Sequence, residues 1–465
     1  MERVTYSVAG GLTDDQLVTL HERAMEVLTT VGMEVGNPGL LAHLAGRPGF
    51  RADGTRVRFA RELLEECVQE SRALGGSWLE EPPDWSVTVL SGYPTHVCDW
   101  GPGGVRPVTE RDAVELTKLV DVLHDQGVCG STPVVPQDVP PQVRDIRCFR
   151  IGAEHCREGG VINLSSLDSA EWLYRMAEVL GHGRGLAVFV VSPLRAEGVT
   201  FDALYRFRES LQSVGVGSMP MMALSAPVHV IGAFVISVAS VWGAWAIARE
   251  LTGKRYFGVE CRIWPVSMRS VDVVYGTPEM VFSDLVSTQL RAFYGWRGWE
   301  CDGFHSSANL ADQQAAAQRG AYGMAMALAG RREFRFGGLL GVDLVFSPVQ
   351  LLLDVELVRY YRHVVEGFPF SEAAFCMDAI ADVGPSGSFL GHDTTLDAFR
   401  EVFWESSRFS TEPVGRWMMD GARSFRDRAR DEIAALIAQH SFRLPEDQAR
   451  QIRRLAEEAE KGLLG

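Results

Sequence analysis

Between Ser213 and Glu260 the chain passes from a short β-branched run through an uncharged Met/Pro/Ser connection into a long apolar stretch, and leaves it through Tyr256–Glu260. Strand, helix and strand in that order make one βαβ unit. A loop facing water normally carries charge. Met219, Met221, Met222 and Ser225 are therefore expected to line a cleft at the carboxyl end of a strand, where α/β barrels place their chemistry. Val230 to Ala248 is free of charge and about as long as a membrane span, which needs roughly 20 apolar residues. A lone span between two strands would split a domain, and Ser237, Ser240 and two glycines interrupt this one. The pattern predicts a core helix buried on more than one side, with another subunit as its second cover.

The same rhythm runs along most of the chain. Thr13 caps an amphipathic run (Leu17, Leu20, Ala24, Val27, Leu28) that reads as a helix, followed by a short strand at Val57–Phe59 and a second helix from Ala60 to Leu74. Hairpin-like runs at Val87–Leu90 and Thr95–Cys98 complete an α+β lead-in over residues 1–110. From Asp112 onward eight strands are predicted, at Val128–Pro133, Gly160–Asn163, Ala187–Val191, Val214–Met219, Tyr256–Glu260, Gly298–Cys301, Phe334–Gly338 and Ser388–His392, with helical patterns between them. Strict alternation predicts a parallel sheet, and eight repeats predict closure into an α/β fold of the (β/α)8 TIM barrel type over residues 111–410. Two charged amphipathic helices, Val414–Gln439 and Glu446–Gly462, form a C-terminal extension over residues 411–465 that is expected to pack on the barrel or on a neighbouring subunit.

Composition narrows the partners. The 465 residues are 46% hydrophobic and 23% charged, with a net charge of -15. With a pI near 5.3, this disfavours a nucleic-acid or anionic-membrane surface and suits a neutral or cationic small ligand. Eight scattered cysteines without CxxC spacing, and an N-terminus without an apolar core behind a basic start, predict a reduced cytoplasmic protein.

If the barrel is right, chemistry sits just past the strands. Those positions hold Thr132, Asn163, Ser192, Met219, Glu260, Asp302 and His305. Glu260 and Asp302, on neighbouring strands, are candidates for an acid and base pair or for attracting a cation, each set against a purely structural hydrogen-bonding role. No three or four of the His and Cys residues stand at zinc-ligand spacing, so no metal site is expected. Nor is there a GxGxxG after a strand, a P-loop or a GxSxG. Trp100, Phe257, Trp264 and Phe304 fall near strand ends or in the lead-in, where most aromatics are core. Those facing the mouth would cage a quaternary ammonium, each ring face contributing ~0.5–2 kcal/mol.

The segments LTDDQLVTLHERAMEVLTTVGMEV, RPVTERDAVELTKLVD, SAPVHVIGAF, YGTPEMVFSDLVSTQLRAFYG, NLADQQAAAQRG and GSFLGHDTTLDAFREVFW occur in an order that resembles the trimethylamine methyltransferase (MttB-like) family of corrinoid-dependent enzymes. Its non-pyrrolysine members include glycine betaine methyltransferase. The resemblance implies a (β/α)8 barrel and a methyl group passed from a substrate nitrogen to the cobalt of a corrinoid (cobalamin) on a separate protein docked over the mouth. A quaternary nitrogen leaves as a neutral amine, so alignment and water exclusion would do most of the work. The chain shows no pyrrolysine, which points to a betaine-like rather than a tertiary amine. A betaine carboxylate would then need donors, and Arg262, His305 or amides at the mouth of a helix are the candidates.

The chain departs from the family pattern near the mouth. Thr394-Thr395 stand where relatives carry His-Thr, with His392 and Asp393 displaced ahead of them. Ser347-Pro348-Val349-Gln350 replaces Ser-x-Glu-Gln, and Ala308-Asn309 replaces an acidic-to-Lys stretch. Two alternatives therefore stay open: a divergent methyltransferase with another donor or acceptor (a folate, a thiol or a specialised metabolite), and a barrel that binds a methylated cation without turning it over. A homo-oligomer is expected in each case.

Overall fold

The computed structural model describes residues 2–75, 84–101, 104–296 and 303–465. Its centre is the Ser213–Ser218 strand, paired in parallel with Gly185–Val190 on one side and Gly258–Cys261 on the other. A second parallel sheet sets Ser86–Thr88 between Val128–Cys129 and Glu333–Arg335. Parallel neighbours need a long crossover. Here the crossovers are helices such as Val199–Phe207 and Val230–Thr252.

Among the described residues these ladders remain two three-stranded parallel sheets and do not join into one hydrogen-bonded ring. Three expected strands account for the difference. Gly160–Asn163 carries no ladder, and 298–301 lies outside the described residues. Ser388–His392 is a turn, with Leu390 80% exposed, so nothing there can serve as a buried stave. The lead-in hairpin does not form either. Ser86–Thr88 joins the second parallel sheet, while His96–Val97 pairs with Arg106–Pro107 and with Val345–Phe346.

The long apolar helix, Val230–Thr252, is a core helix, with 72% of its most apolar window buried inside this chain. Within this chain the cover comes from the lead-in. The lead-in helices Asp14–Glu26 and Arg61–Gly75 lie against it, and Trp242 and Trp245 are fully buried. Trp242 packs at 5.2 Å from Tyr294 and 5.5 Å from Trp296. Gly243 permits this approach, since a Cβ there would fall 2.1 Å from the sulfur of Met33. At the far end of the chain, Phe425–Ala438 and Glu446–Leu464 bury Ile433, Ile452 and Ala456 against the body, but the expected Val414–Gln439 helix is broken over 420–424 and its first part, Val414–Met419, is a separate short helix with no buried residue.

Candidate functional site

Past their last ladder positions the two central strands stay side by side. Met221 and Trp264 form a parallel bridge. Trp264 N–H donates to the Pro220 carbonyl at 2.9 Å, and Met222 N–H donates to the Trp264 carbonyl at 2.8 Å. The neutral connection then turns on itself, with Leu224, Ser225 and Ala226 all donating to the Met221 carbonyl while the Ser225 hydroxyl accepts from Met221 N–H at 2.9 Å. This turn spends its polar groups internally, which is why it needs no charge.

Against Trp264 stands a compact group. The His305 ring lies 4.0 Å from Phe336, 4.3 Å from Tyr275 and 5.0 Å from Trp264. All four side chains are buried. Asp343 binds two of them, with Oδ1 3.0 Å from His305 Nδ1 and Oδ2 accepting from the Tyr275 hydroxyl at 2.9 Å. An ionised carboxylate only accepts, so the proton of this bond sits on His305 Nδ1. Burial, then the charge of Asp343, push the Tyr275 phenol far up; the same two causes raise Tyr93. Both therefore remain hydroxyl donors at neutral pH.

The backbone marks the same region. Of the ten described non-glycine residues with left-handed φ, four fall in loops after parallel strands (Leu194, Ala223, Val271 and Phe336) and two, Val342 and Asp343, in the turn of the antiparallel hairpin formed by Leu339–Leu340 and Val345–Phe346. Such residues cost about 1–3 kcal/mol each and cluster where a structure spends stability on function. Three of the six, Phe336 (φ 67), Val342 (φ 52) and Asp343 (φ 68), surround His305.

The structure sorts the sequence candidates. His305, Trp264 and Met221 come together, and Met219 lies beside them at 47% exposure. Glu260 and Arg262 are buried at the end of their strand; Glu260 faces Arg335 at 3.8 Å and Arg262 faces Asp284 at 3.6 Å. Asp302, the proposed partner of Glu260, lies outside the described residues. Thr132 is spent on the Cys148 carbonyl at 3.1 Å and Asn163 on the Gly92 carbonyl. The Ser192 hydroxyl is buried at a cis Ser192–Pro193 bond. Trp100 donates to Asp112 at 3.1 Å and so belongs to a helix cap rather than to this cluster. Phe257 precedes its strand and packs 5.0 Å from Trp245, at the end opposite Trp264. Phe304 stacks on Phe334 at 5.4 Å in the core.

Tyr275, Phe336 and Asp343 escaped sequence reasoning. Tyr275 and Asp343 stand well beyond a strand end, and Phe336 was hidden inside a predicted strand. The sequence signal was the glycine pair Gly338 and Gly341, which brackets the short Leu339–Leu340 strand; both have positive φ.

The described cysteines are free. Burial pushes Cys261 and Cys98 up to about 12, which keeps them thiols and makes them poor metal ligands. The one described group at ligand spacing, His21, Glu22 and Glu65, sits on the lead-in, where His21 is engaged by Tyr294 and Glu65 at 3.2 Å each. Two cavities, about 380 and 360 Å³, lie at the other end of the strands; Tyr6, Val8 and Arg332 line the first, and Trp85, Arg332 and Arg362 the second.

Sequence comparison gives this arrangement a context. The chain is 23% identical to the trimethylamine methyltransferase MttB of Desulfitobacterium hafniense (strain DSM 10664 / DCB-2), over 97% of this chain and 94% of that protein. It is also 23% identical to the glycine betaine methyltransferase of D. hafniense (strain Y51), over 87% and 88%. To MttB of Methanosarcina thermophila it is 26% identical, over 93% of each chain. Among solved structures, the monomethylamine methyltransferase of Methanosarcina barkeri is 11% identical, covering 93% of this chain and 89% of that one with a TM-score of 0.48. Residues 4–457 match the family described as trimethylamine methyltransferase (MTTB), and the chain therefore belongs to that family and is a methyltransferase.

Proposed function

We propose that this methyltransferase removes a methyl group from a methylated amine, a quaternary betaine-like or a tertiary one, and passes it to the cobalt of a corrinoid carried by a separate protein. On this reading the two parallel sheets and the 160–163 segment are parts of a (β/α)8 barrel. The substrate is met at the carboxyl ends of the strands by the Trp264, Tyr275, His305 and Phe336 cluster. The observation that carries the proposal is the half-buried Asp343 carboxylate set among aromatic rings, at the end of the strands where left-handed residues gather.

The chemistry follows from charge. Ring faces and a carboxylate in a water-poor setting attract an ammonium, the rings contributing up to about 2 kcal/mol each when desolvated. The expected open cage is not what the structure holds, since the rings touch one another. The cation therefore meets the outer side of the cluster, towards Asp343 and Tyr93, which is 52% exposed. His305 and Tyr275, both held by Asp343, orient the substrate. When the C–N bond of a quaternary nitrogen breaks, the electron pair stays on nitrogen and a neutral amine leaves, so no acid is required; a tertiary amine reacts as its ammonium, whose proton stays on the neutral amine that leaves.

A corrinoid, when docked, supplies the low-valent cobalt that accepts the methyl group. The rim suits such a partner. Met219, Leu224, Val228, Ile231, Met268 and Val271 are 45% to 75% exposed and follow two adjacent strands, an apolar face of the kind that meets another protein.

The test incubates purified protein with Co(I) cobalamin and a panel of quaternary amines, tertiary amines and sulfoniums, and follows demethylated product by mass spectrometry. Product from a quaternary or tertiary amine is expected. No product from any amine, or product from sulfoniums alone, would overturn the proposal.

A further inference from the structure

We infer that Gln318 and Arg319, neighbours on the Gln313–Leu328 helix, are positioning residues for the methyl transfer: they tie down the three loops that bring Tyr275, His305 and Asp343 into one cluster. Both lie in the segment NLADQQAAAQRG, which contributes no side chain to the cluster itself.

The loops need such a tie. Residues 303–308, which carry His305, form neither helix nor strand. Asp343 sits in the turn of a hairpin whose ladder has two rungs, Leu339 with Phe346 and Leu340 with Val345. A hairpin of that size is marginal on its own, and this turn also holds two left-handed residues, Val342 and Asp343. The turn is docked on the His305 segment, where Gly341 N–H donates to the Ala308 carbonyl at 2.8 Å and Val342 N–H to the Ser306 carbonyl at 3.3 Å. The approach of Asp343 to His305 is therefore set by whatever fixes Ser306 and the hairpin strand.

Gln318 fixes the first. Its side-chain oxygen accepts from the Ser306 hydroxyl at 2.7 Å, and that hydroxyl accepts in turn from Ala308 N–H at 3.0 Å. Ser306 is 1% exposed, so water competes little for the bond. The amide nitrogen of Gln318 reaches the other way and donates to the Tyr275 carbonyl at 3.4 Å. Gly276, with φ 72, permits this approach, since a Cβ there would lie 2.4 Å from Gln318 Cδ. One amide thus spans the backbones that carry Tyr275 and His305.

Arg319 fixes the second. Successive side chains on a helix point about 100° apart, so the next residue serves a different loop. The fully buried guanidinium donates to the Leu339 carbonyl and pairs with Asp354 at 2.6 Å. Asp354 also accepts from Gly338 N–H at 2.7 Å and from the Gln350 amide at 2.8 Å. Arg319 and Asp354 thereby hold the outer edge of the hairpin strand, where no further strand pairs among the described residues. Methyl transfer is sensitive to such placement, because a shift of 1 Å can cost about 100-fold in rate. Removing the bonds of a half-buried glutamine disturbs the stability of the whole fold far less.

This role rests on the cluster being the substrate site, so the test reads the cluster and the rate separately. Gln318→Met in the full chain keeps the side-chain length and removes both bonds. With Co(I) cobalamin as acceptor, kcat for amine demethylation is expected to fall at least about tenfold with KM within about twofold, while thermal unfolding moves by less than about 4 °C. The His305 Nδ1 proton, read by NMR of isotope-labelled histidine and identified by its absence in His305→Gln, should shift in the same variant. Gln314→Met, at an exposed position one turn earlier on the helix, should move neither readout. Ser306→Ala removes the partner hydroxyl, and the double variant with Gln318→Met is expected to be no slower than the slower single variant. A folded Gln318→Met protein with kcat within about threefold of wild type and an unmoved His305 signal overturns the role. So does a double variant whose losses multiply. If the wild type demethylates no amine while the His305 signal still moves in Gln318→Met, the substrate reading fails and the positioning of the cluster stands.

Discussion

Replacing Asp343 with asparagine isolates the charge at the centre of the site. Asparagine tolerates the left-handed backbone that Asp343 adopts at φ 68, so the loop is retained. The carboxylate accepts from His305 Nδ1 at 3.0 Å and from the Tyr275 hydroxyl at 2.9 Å. An amide offers one oxygen in place of two and turns its NH2 towards the second donor, so at least one charge-assisted bond, worth about 1.5–3 kcal/mol, is lost. His305 is 1% exposed and cannot recover it from water. A loss near 2.7 kcal/mol corresponds to about 100-fold in rate. The assay is kcat/KM for amine demethylation, with circular dichroism to establish that the variant is folded. Asp343→Gly is the control: it relieves the left-handed strain but removes both acceptors, and should be at least as inactive as Asp343→Asn. A folded Asp343→Asn enzyme within about threefold of wild type would refute the reasoning, because the two bonds would then be structural decoration.

Other predictions concern the frame that holds the site. Arg319 and Asp354 form a fully buried ion pair at 2.6 Å, and Asp354 also accepts from Gly338 N–H at 2.7 Å; Asp354→Ala should cost about 3–5 kcal/mol in urea unfolding by leaving a buried cation. Burial works to raise the Asp112 carboxyl, but hydrogen bonds from Arg106 and Thr109 outweigh it and hold the group at about 2. A depressed folded value stabilises above the unfolded value of about 3.9, and that contribution fades as pH falls towards about 2. The stability gap between wild type and Asp112→Asn should therefore narrow across that window when unfolding is measured against pH. Gly243→Val should cost about 1–3 kcal/mol by overpacking against Met33, with partial recovery when Met33 is shortened to alanine, read by thermal unfolding.

Local periodicity made the elements legible and left their closure illegible. The central βαβ unit could be read because its helix is apolar all round, and that same feature suggested a covering subunit. The lead-in does the covering, a long-range contact that no window of sequence contains. Ser388–His392 misled because a short run with Phe and Leu reads as a strand whether it is buried or held out at the surface. Within the site, Trp264 and His305 were found by counting from strand ends. Asp343 was missed because its role comes from a left-handed loop that folds back onto His305 from the end of another strand. Phe257 was assigned to the mouth although it enters its strand from the other end.

The most direct measurement is the position of a bound substrate-like cation, such as a betaine, in an experimentally determined structure of the complex. The account predicts the ammonium within about 6 Å of the Tyr275 or Trp264 ring, on the side of Asp343. A cation seated instead among Tyr6, Val8 and Arg332, in the cavity at the opposite end of the strands, would contradict it.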